Sequence, residues 1–348
     1  MQIEQNASLS SLNTFGVNAR TRFLVTVESA DELPTVLARP ELAALPRMIL
    51  GGGSNVLFVE DYPGVIVQLQ SKGIEVIAED DEAVLVRAQA GELWDHFVAK
   101  TIALGFSGLE NLSLIPGQVG AAPIQNIGAY GVELAQCFHS LECLDLEYGT
   151  QFEMDAEACR FGYRDSWFKH QLAGRYLVTS LTVRLSRRSE WVLEYGELAS
   201  RVAESRNGGI NAALVREVVC DIRQEKLPNP EERGNAGSFF KNPIVSLEQA
   251  LELREIHASL PFYETGGACK IPAAWLIEQC GWKGKRQGRV GIAEEHALVL
   301  VNLGGATGRE LWSLAQEIIE SVRSRFSIEL EPEPRIPGIN LPLRAPKE

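Results

Sequence analysis

Apolar and polar positions alternate in short bursts through the first half of the chain, and the period changes near residue 210. Alternation with period two, the repeat of a strand with one buried face, predicts strands at 23–27, 47–50, 65–69, 74–78, 83–90, 141–146 and 176–185. Helices are predicted at 30–38 and 92–104, the second with Leu93, Phe97, Val98, Thr101 and Ile102 along one face. Beyond 210 the spacing predicts helices at 210–224, 246–259, 272–280 and 308–326, with a strand at 297–302. The helix at 308–326 carries the strongest signal. Thr307 and Glu310 make a capping box, and Leu311, Leu314, Ala315, Ile318, Ile319 and Val322 recur at helical spacing. The stretch 328–336 reads as a strand interrupted by Pro332 and Pro334, with Pro337 just beyond. The expected organisation is α+β: a strand-rich part at 1–204 divided near 70, a helix-rich part at 205–327, and a tail at 328–348.

One segment fits neither period. Residues 108–134, GLENLSLIPGQVGAAPIQNIGAYGVEL, hold five glycines and almost no charge in their middle. Leu114, Ile115, Val119, Ile124, Ile127 and Val132 would bury it, unlike a surface linker. Buried irregular backbone must find partners for its N–H and C=O groups, and an extended polar cofactor is one such partner.

Composition narrows the classes. At 348 residues the chain is long enough for two or three domains, and 45% hydrophobic with 23% charged residues describes an ordinary globular core. A net charge of -13 argues against nucleic-acid or anionic-membrane partners, though it leaves room for a local basic pocket. The opening MQIEQNASLSSLNTFG lacks the basic and apolar regions of a signal peptide, and no run reaches transmembrane length. The six cysteines are scattered without a CxxC, so reduced thiols in a cytoplasm are expected and a zinc site is not.

Four strings can carry chemistry. Gly51-Gly52-Gly53-Ser54-Asn55 follows a strand, and its consecutive N–H groups could form a concave nest for a pyrophosphate; a plain tight turn is the alternative. It is neither a Walker loop nor GxGxxG. The segment 108–134 is a second glycine element about 60 residues on, which together with the first favours a dinucleotide over a lone phosphate. CRFGYRDS at 159–166 places two arginines, a tyrosine and an acid in a turn-prone run, suited to a carboxylate or phosphate or to a structural Arg164–Asp165 pair. GNAGSFFKNP at 234–243 sets Ser238 between a glycine turn and two aromatics, with no Ser-His-Asp relay to make it a hydrolase nucleophile.

Taken in order, these strings resemble the UDP-N-acetylenolpyruvoylglucosamine reductase family. The resemblance rests on NTFG at 13–16, GGGSNVLF at 51–58, GLENLSLIPG and PIQNIGAYGVEL within 108–134, CRFGYRDS, GNAGSFFKNP, WLIEQCGWKG at 275–284 and LEPEPR at 330–335, and it covers nearly the whole chain. The segment Leu193–Leu198, LEYGEL, is similar to the tyrosine-bearing loop of the longer, type I branch.

This resemblance implies a two-part FAD-binding domain of the vanillyl-alcohol-oxidase type, an α+β substrate domain and a C-terminal tail returning to the FAD side. Non-covalent FAD would be held by Gly51, Gly52, Gly53, Ser54, Asn55, Ile115, Pro116, Gly117, Val119, Gly120, Ala121, Gln125, Asn126 and Gly128. NADPH would reduce it, and a nucleotide sugar, UDP-N-acetylglucosamine enolpyruvate, would then enter the same cleft. The implied catalytic set is Arg160 and Glu333 on the substrate carboxylate with Ser238 as proton donor. Tyr130, Arg164, Tyr195, Lys226, Asn242 and Lys283 would contact the substrate, with no metal, and a monomer is expected. Pro334 stands where the family more often has valine, and Ala121 and Ala122 replace small residues that in some relatives bear a hydroxyl. A sugar oxidase on the same fold and a non-catalytic nucleotide-sugar binder are the competing classes; His96, His139 and His170 do not lie in a glycine loop of the kind that tethers flavin in such oxidases.

Overall fold

The alternating runs of the first half separate into two sheets in the computed structural model, which describes residues 1–170, 174–188, 190–205 and 208–339. The first sheet contains β1 (Gln2–Ser8), β2 (Arg20–Val27), β3 (Arg47–Ile49) and β4 (Tyr62–Leu69) in the order β1-β2-β4-β3. β4 runs parallel to both β2 and β3, while β1 is an antiparallel edge. Parallel strands need crossovers. The one from β2 to β3 carries α1 (Leu33–Leu37) and α2 (Pro40–Ala43); the one from β3 to β4 is the GGGSN loop. Period two then sorts the side chains: Phe23, Val25, Val27, Val65 and Val67 face α1, and Leu24, Met48 and Ile66 face Leu9 and Phe58.

The second sheet is antiparallel throughout. It comprises β5 (Ile74–Glu79), β6 (Ala83–Gln89), β9 (Phe138–Asp145), β10 (Gln151–Met154) and β11 (Tyr176–Ser186), ordered β10-β9-β11-β6-β5. The helix α3 (Trp94–Ala103) packs Trp94, Phe97 and Val98 on Val84, Val86 and Val183. The segment 108–134 lies beside them as short 3-10 turns and a two-residue hairpin, β7 (Gly128–Ala129) with β8 (Val132–Glu133). Leu112, Val119, Ala122 and Val132 enter the same core, so the segment is buried as its apolar residues demand. Two one-turn helices, α4 (Ala156–Cys159) and α5 (Trp167–His170), frame the FGYRD turn.

Helices α6 (Leu198–Ser205) and α7 (Ala212–Lys226) pair through Leu198, Val202, Val215, Val219 and Ile222. Arg216 fixes α7 to α3 by donating to both Asp95 oxygens at 2.6 and 2.8 Å. A different core serves the rest of the chain: β12 (Ile244–Val245), α8 (Leu247–Ile256), β13 (Tyr263–Thr265), β14 (Ala268–Lys270), α9 (Ala273–Gln279), β15 (Arg286–Gln287), β16 (Val290–Ile292), β17 (Leu300–Asn302) and α10 (Gly308–Phe326). It gathers Phe239, Phe240, Leu276, Ile277, Leu311, Leu314, Ile318 and Val322, and it borrows Phe15, Val17 and Leu57 from the N-terminal part. The Thr307–Glu310 capping box opens α10 where the sequence placed it.

The tail is the seam between the parts. Glu333 N donates to Phe239 O at 2.8 Å and Arg335 N to Asn55 O at 3.0 Å, so the chain from 331 to 335 runs between the FFKN and GGGSN segments. Pro334 lies between these two donors, and its missing N–H leaves both bonds intact. Residues 340–348 of the expected tail lie outside the described residues.

Some expectations shrink or fail. The predicted strand at 297–302 is regular only over Leu300–Asn302, because a turn bonds Val299 N to His296 O. The predicted helix at 30–38 opens as a 3-10 turn at Ala30–Glu32 before α1. β1, β7, β8, β10 and β12 to β16 were missed, and the predicted strand at 328–336 forms only isolated bridges at Pro332 and Arg335; β1 is an edge strand with one buried residue, so it carries almost no apolar alternation. Among the described residues no helix is long and apolar enough to cross a membrane.

Candidate active site

The two glycine elements meet. An added Cβ on Gly52 would lie 3.2 Å from Gly117 Cα, and Ser54 Oγ donates to Pro116 O at 3.1 Å. Gly53 has φ +67°, and a Cβ there would fall 1.9 Å from Leu12 O. Only glycine meets both demands. Among the described residues no backbone N–H from Gly51 to Asn55, nor that of Gly117 or Gln118, has a hydrogen-bond partner. Such a row of unused donors on close-set backbone is what a pyrophosphate requires. Alongside runs a cavity between the two sheets, lined by Leu50, Gly51, Gln118, Gly120, Ala121, Tyr176 and Arg335 among others. These residues fit a bound FAD. Gly53→Ala is expected to abolish flavin retention while leaving a folded chain, read as flavin absorbance per mole of purified protein beside its far-UV circular dichroism.

Not every residue expected at the cofactor lines this cradle. Val119 is buried in the second-sheet core and spends its N–H on Glu92 O at 2.9 Å, and Ile115 packs against the same core. Asn126, at φ +45°, ties the hairpin to the FGYRD turn by donating to Glu133 Oε2 at 2.8 Å and Gly162 O at 3.0 Å. Gly128 supports Arg164, whose guanidinium donates to its carbonyl. Ala121 abuts Gly51, and its backbone N–H goes to Gln118 O at 3.0 Å.

At the inner end of the cradle sits a carboxyl. Glu333 is 15% exposed and receives Gln125 Nε2 at 3.3 Å, with Arg164 Nε 3.5 Å away. Gln125 also accepts from Asn55 Nδ2 at 2.7 Å, which joins the glycine turn to the tail. Burial holds the Glu333 carboxyl above its ordinary value, against the pull of Arg164, Lys169 and Lys241. Lys241, whose backbone N–H donates to Glu331 O at 2.9 Å, also forms a side-chain ion pair with Glu331 beside it. Ser238 precedes the residue whose carbonyl takes the Glu333 N–H, so the two side chains stem from adjoining backbone. Among the described residues its hydroxyl has no hydrogen-bond partner.

Arg160 does not join this group. It terminates α4 in a left-handed conformation (φ +45°), is exposed, and makes no side-chain hydrogen bond or ion pair among the described residues. The tight Gly162–Asp165 turn reverses the chain, so Arg164 rather than Arg160 reaches the carboxyl. Sequence spacing does not reveal which of two arginines four residues apart a turn will aim inward.

The other residues expected to contact substrate make polar and aromatic contacts of their own. Tyr130 stands edge-on to the exposed Tyr195 at 6.0 Å between centroids, and burial raises its phenol pKa. Lys226 pairs with Glu197 at 2.5 Å and Lys283 with Glu278 at 3.0 Å. Both lysines lie near His296, whose pKa is lowered by burial first and by these cations after it. Asn242 accepts the Ala273 N–H at 2.9 Å at the start of α9. Two residues went unnoticed in the sequence. Lys270 places its Nζ 4.0 Å from the Tyr163 ring centre, and Arg223 buries an Nε with no partner among the described residues, close to Tyr130 and Arg164. Arg223 was detectable as a cation four residues beyond Val219, on the apolar face of α7.

Known proteins resemble the chain over nearly its whole length. Residues 229–337 match the model of the UDP-N-acetylenolpyruvoylglucosamine reductase C-terminal domain, and residues 21–155 match that of an FAD binding domain. The chain is 47% identical to the UDP-N-acetylenolpyruvoylglucosamine reductase of Pseudomonas aeruginosa, over 97% of this chain and 99% of that one. Against the protein of that name from Xanthomonas oryzae the figures are 47%, 97% and 97%. Among solved structures, the UDP-N-acetylenolpyruvylglucosamine reductase of Thermus caldophilus superposes with a TM-score of 0.67 at 25% identity, covering 97% of this chain and 99% of that one. Matched by both domain models and over nearly its whole length by these reductases, the chain belongs to the UDP-N-acetylenolpyruvoylglucosamine reductase family of flavin-dependent oxidoreductases.

Proposed function

We propose that this protein reduces the enolpyruvyl ether of UDP-N-acetylglucosamine enolpyruvate to UDP-N-acetylmuramate with NADPH, a step of peptidoglycan synthesis. The observation that carries this reading is the convergence of Arg164, Ser238 and Glu333, from three distant parts of the chain, beside the glycine cradle. Gly51 to Asn55 and Gly117 would hold FAD, which with NADPH as reductant would supply the hydride that the methylene carbon of the enolpyruvyl group receives. Negative charge then builds on the neighbouring carbon and its carboxylate.

The chain's own groups answer that charge. Arg164 binds the substrate carboxylate and opposes charge that grows in the transition state, the task the family resemblance had assigned to Arg160. Glu333 acts protonated, as a hydrogen-bond donor to the same carboxylate; burial already favours its neutral form, and a second carboxylate beside it strengthens that preference. Ser238 gives its hydroxyl proton to the carbon, which as an enolate carbon is basic enough to take it. Lys226 and Lys283, both near His296, and Arg223, whose Nε has no partner among the described residues, receive the diphosphate, and Tyr195 covers the sugar, supported by its place beside Tyr130. Arg223→Met is therefore expected to raise KM for the nucleotide sugar about tenfold with a smaller change in kcat, measured by steady-state NADPH oxidation.

In this reading the FAD-binding part extends to about residue 227, supported by the packing of α6 and α7 on the second-sheet part and by the Arg216–Asp95 bonds. The substrate part then begins near the GNAGSFFKNP segment. The decisive test is anaerobic: NADPH should bleach the bound flavin, and the enolpyruvyl nucleotide sugar should restore its absorbance within the turnover time in a stopped-flow trace. Bleached flavin that stays bleached after the sugar is added excludes the reading.

A further inference from the structure

Behind Arg164 lies a lysine that the reaction as described leaves unused. Ser166 Oγ donates to Ile124 O at 2.7 Å and so fastens the start of α5 to the glycine-rich segment. From that one-turn helix Lys169 reaches back, and its Nζ donates to the Arg164 carbonyl at 3.1 Å. That carbonyl belongs to a residue at φ +53°, a left-handed conformation that a non-glycine residue keeps only where its surroundings enforce it. The guanidinium of the same residue is bonded to Gly128 O and lies 3.5 Å from Glu333. One ammonium thus grips the backbone that aims the arginine.

The charges around it leave Lys169 a distinct electrostatic role. Lys241, Glu331, Glu333, Asp165 and Arg164 surround it; Lys241 is paired with Glu331, and Asp165 with His170 at 2.6 Å. Glu333 is the remaining carboxyl, and Arg164 Nε lies 3.5 Å from it. Burial, and then Lys241, bring the Lys169 ammonium down to about 8, and Lys169 in return draws Glu333 downward against the effect of burial.

We propose that Lys169 is a positioning residue for the reductase reaction, locking the left-handed backbone of Arg164 in its aimed conformation and placing its positive charge behind Glu333. The inference rests on the reductase reading. A cation near a carboxyl favours the ionised form, so its removal raises the pH at which Glu333 loses the proton the reaction uses. The descending, basic limb of kcat against pH should then move to higher pH.

The test uses flavin-loaded Lys169→Met, Lys169→Gln and Lys169→Arg beside the wild type, at matched flavin content. Lys169→Met is expected to lower kcat by about 10²-fold, the effect of misaimed catalytic groups, with KM changed only a few-fold. Its basic limb should move up by about one pH unit. Lys169→Gln keeps a donor for the Arg164 carbonyl without the charge, so it should recover much of kcat yet show the same shifted limb. Lys169→Arg should recover kcat and hold the limb at or below that of the wild type, because its charge persists above pH 8. Wild-type kcat in Lys169→Met, or a reduced kcat with an unmoved limb in both Met and Gln variants, overturns the proposal. Should Lys169→Met fail to hold flavin, the Gln and Arg variants decide by the same limb. A wild type that does not turn over the enolpyruvyl sugar defeats the reductase reading instead, whatever the variants do.

Discussion

Ser238→Ala is expected to lower kcat by about 10²- to 10⁴-fold, the usual worth of a positioned general acid, while FAD remains bound. The hydroxyl is held by backbone that has little freedom to move. Ser238 bridges to Val299, Phe239 N donates to Leu298 O at 2.8 Å, and Phe239 O accepts from Glu333 N at 2.8 Å. Phe239 and Phe240 are anchored in the core at 0% and 1% exposure. Loss of one oxygen from a half-buried position leaves that frame in place, so the defect should be chemical. The measurement is stopped-flow reoxidation of the reduced flavin by the enolpyruvyl sugar, which should slow by the same factor as kcat. A variant within a few-fold of wild type would show that the proton comes from elsewhere.

The second large effect separates two arginines. Arg164→Met is expected to lower kcat/KM by about 10²- to 10³-fold, as loss of a charged donor to a developing oxyanion does, while Arg160→Met leaves it nearly unchanged. The contrast follows from the turn between them: Arg164 is 20% exposed beside Glu333, and Arg160 is an exposed helix terminus. Arg164→Lys should restore little, since a compact ammonium cannot both hold Gly128 O and meet a carboxylate as the planar fork does. Equal losses in the two Met variants, measured in steady-state kinetics, would count against the assignment of Arg164.

Much of the fold can be read in the chain because its signals are local. The capping box at Thr307 and the apolar stripe of α10 depend on residues three and four apart, and the sequence placed that helix at its observed bounds. Strands β2, β4, β6, β9 and β11 announce themselves by alternation and β-branched residues. β1 (QIEQNAS) and β10 (QFEM) do not, since each is a mostly polar edge strand with a single buried residue.

The site divides along the same line. Gly51 to Gly53 and Gly117 are legible as glycines, because a missing Cβ is a property of one residue. What a sequence determines without help is chemistry: donors, acids and turns, and here enough motifs in order to name a family. Tertiary structure alone decided aim. It set Arg164 rather than Arg160 beside Glu333, buried Arg223 near Tyr130, and placed Lys169 under the Arg164 carbonyl. The physical reason is range. Local propensity and periodicity extend over a few residues, whereas the direction of a side chain out of a turn, and the dielectric around a carboxyl, are fixed by whatever distant segments close over them.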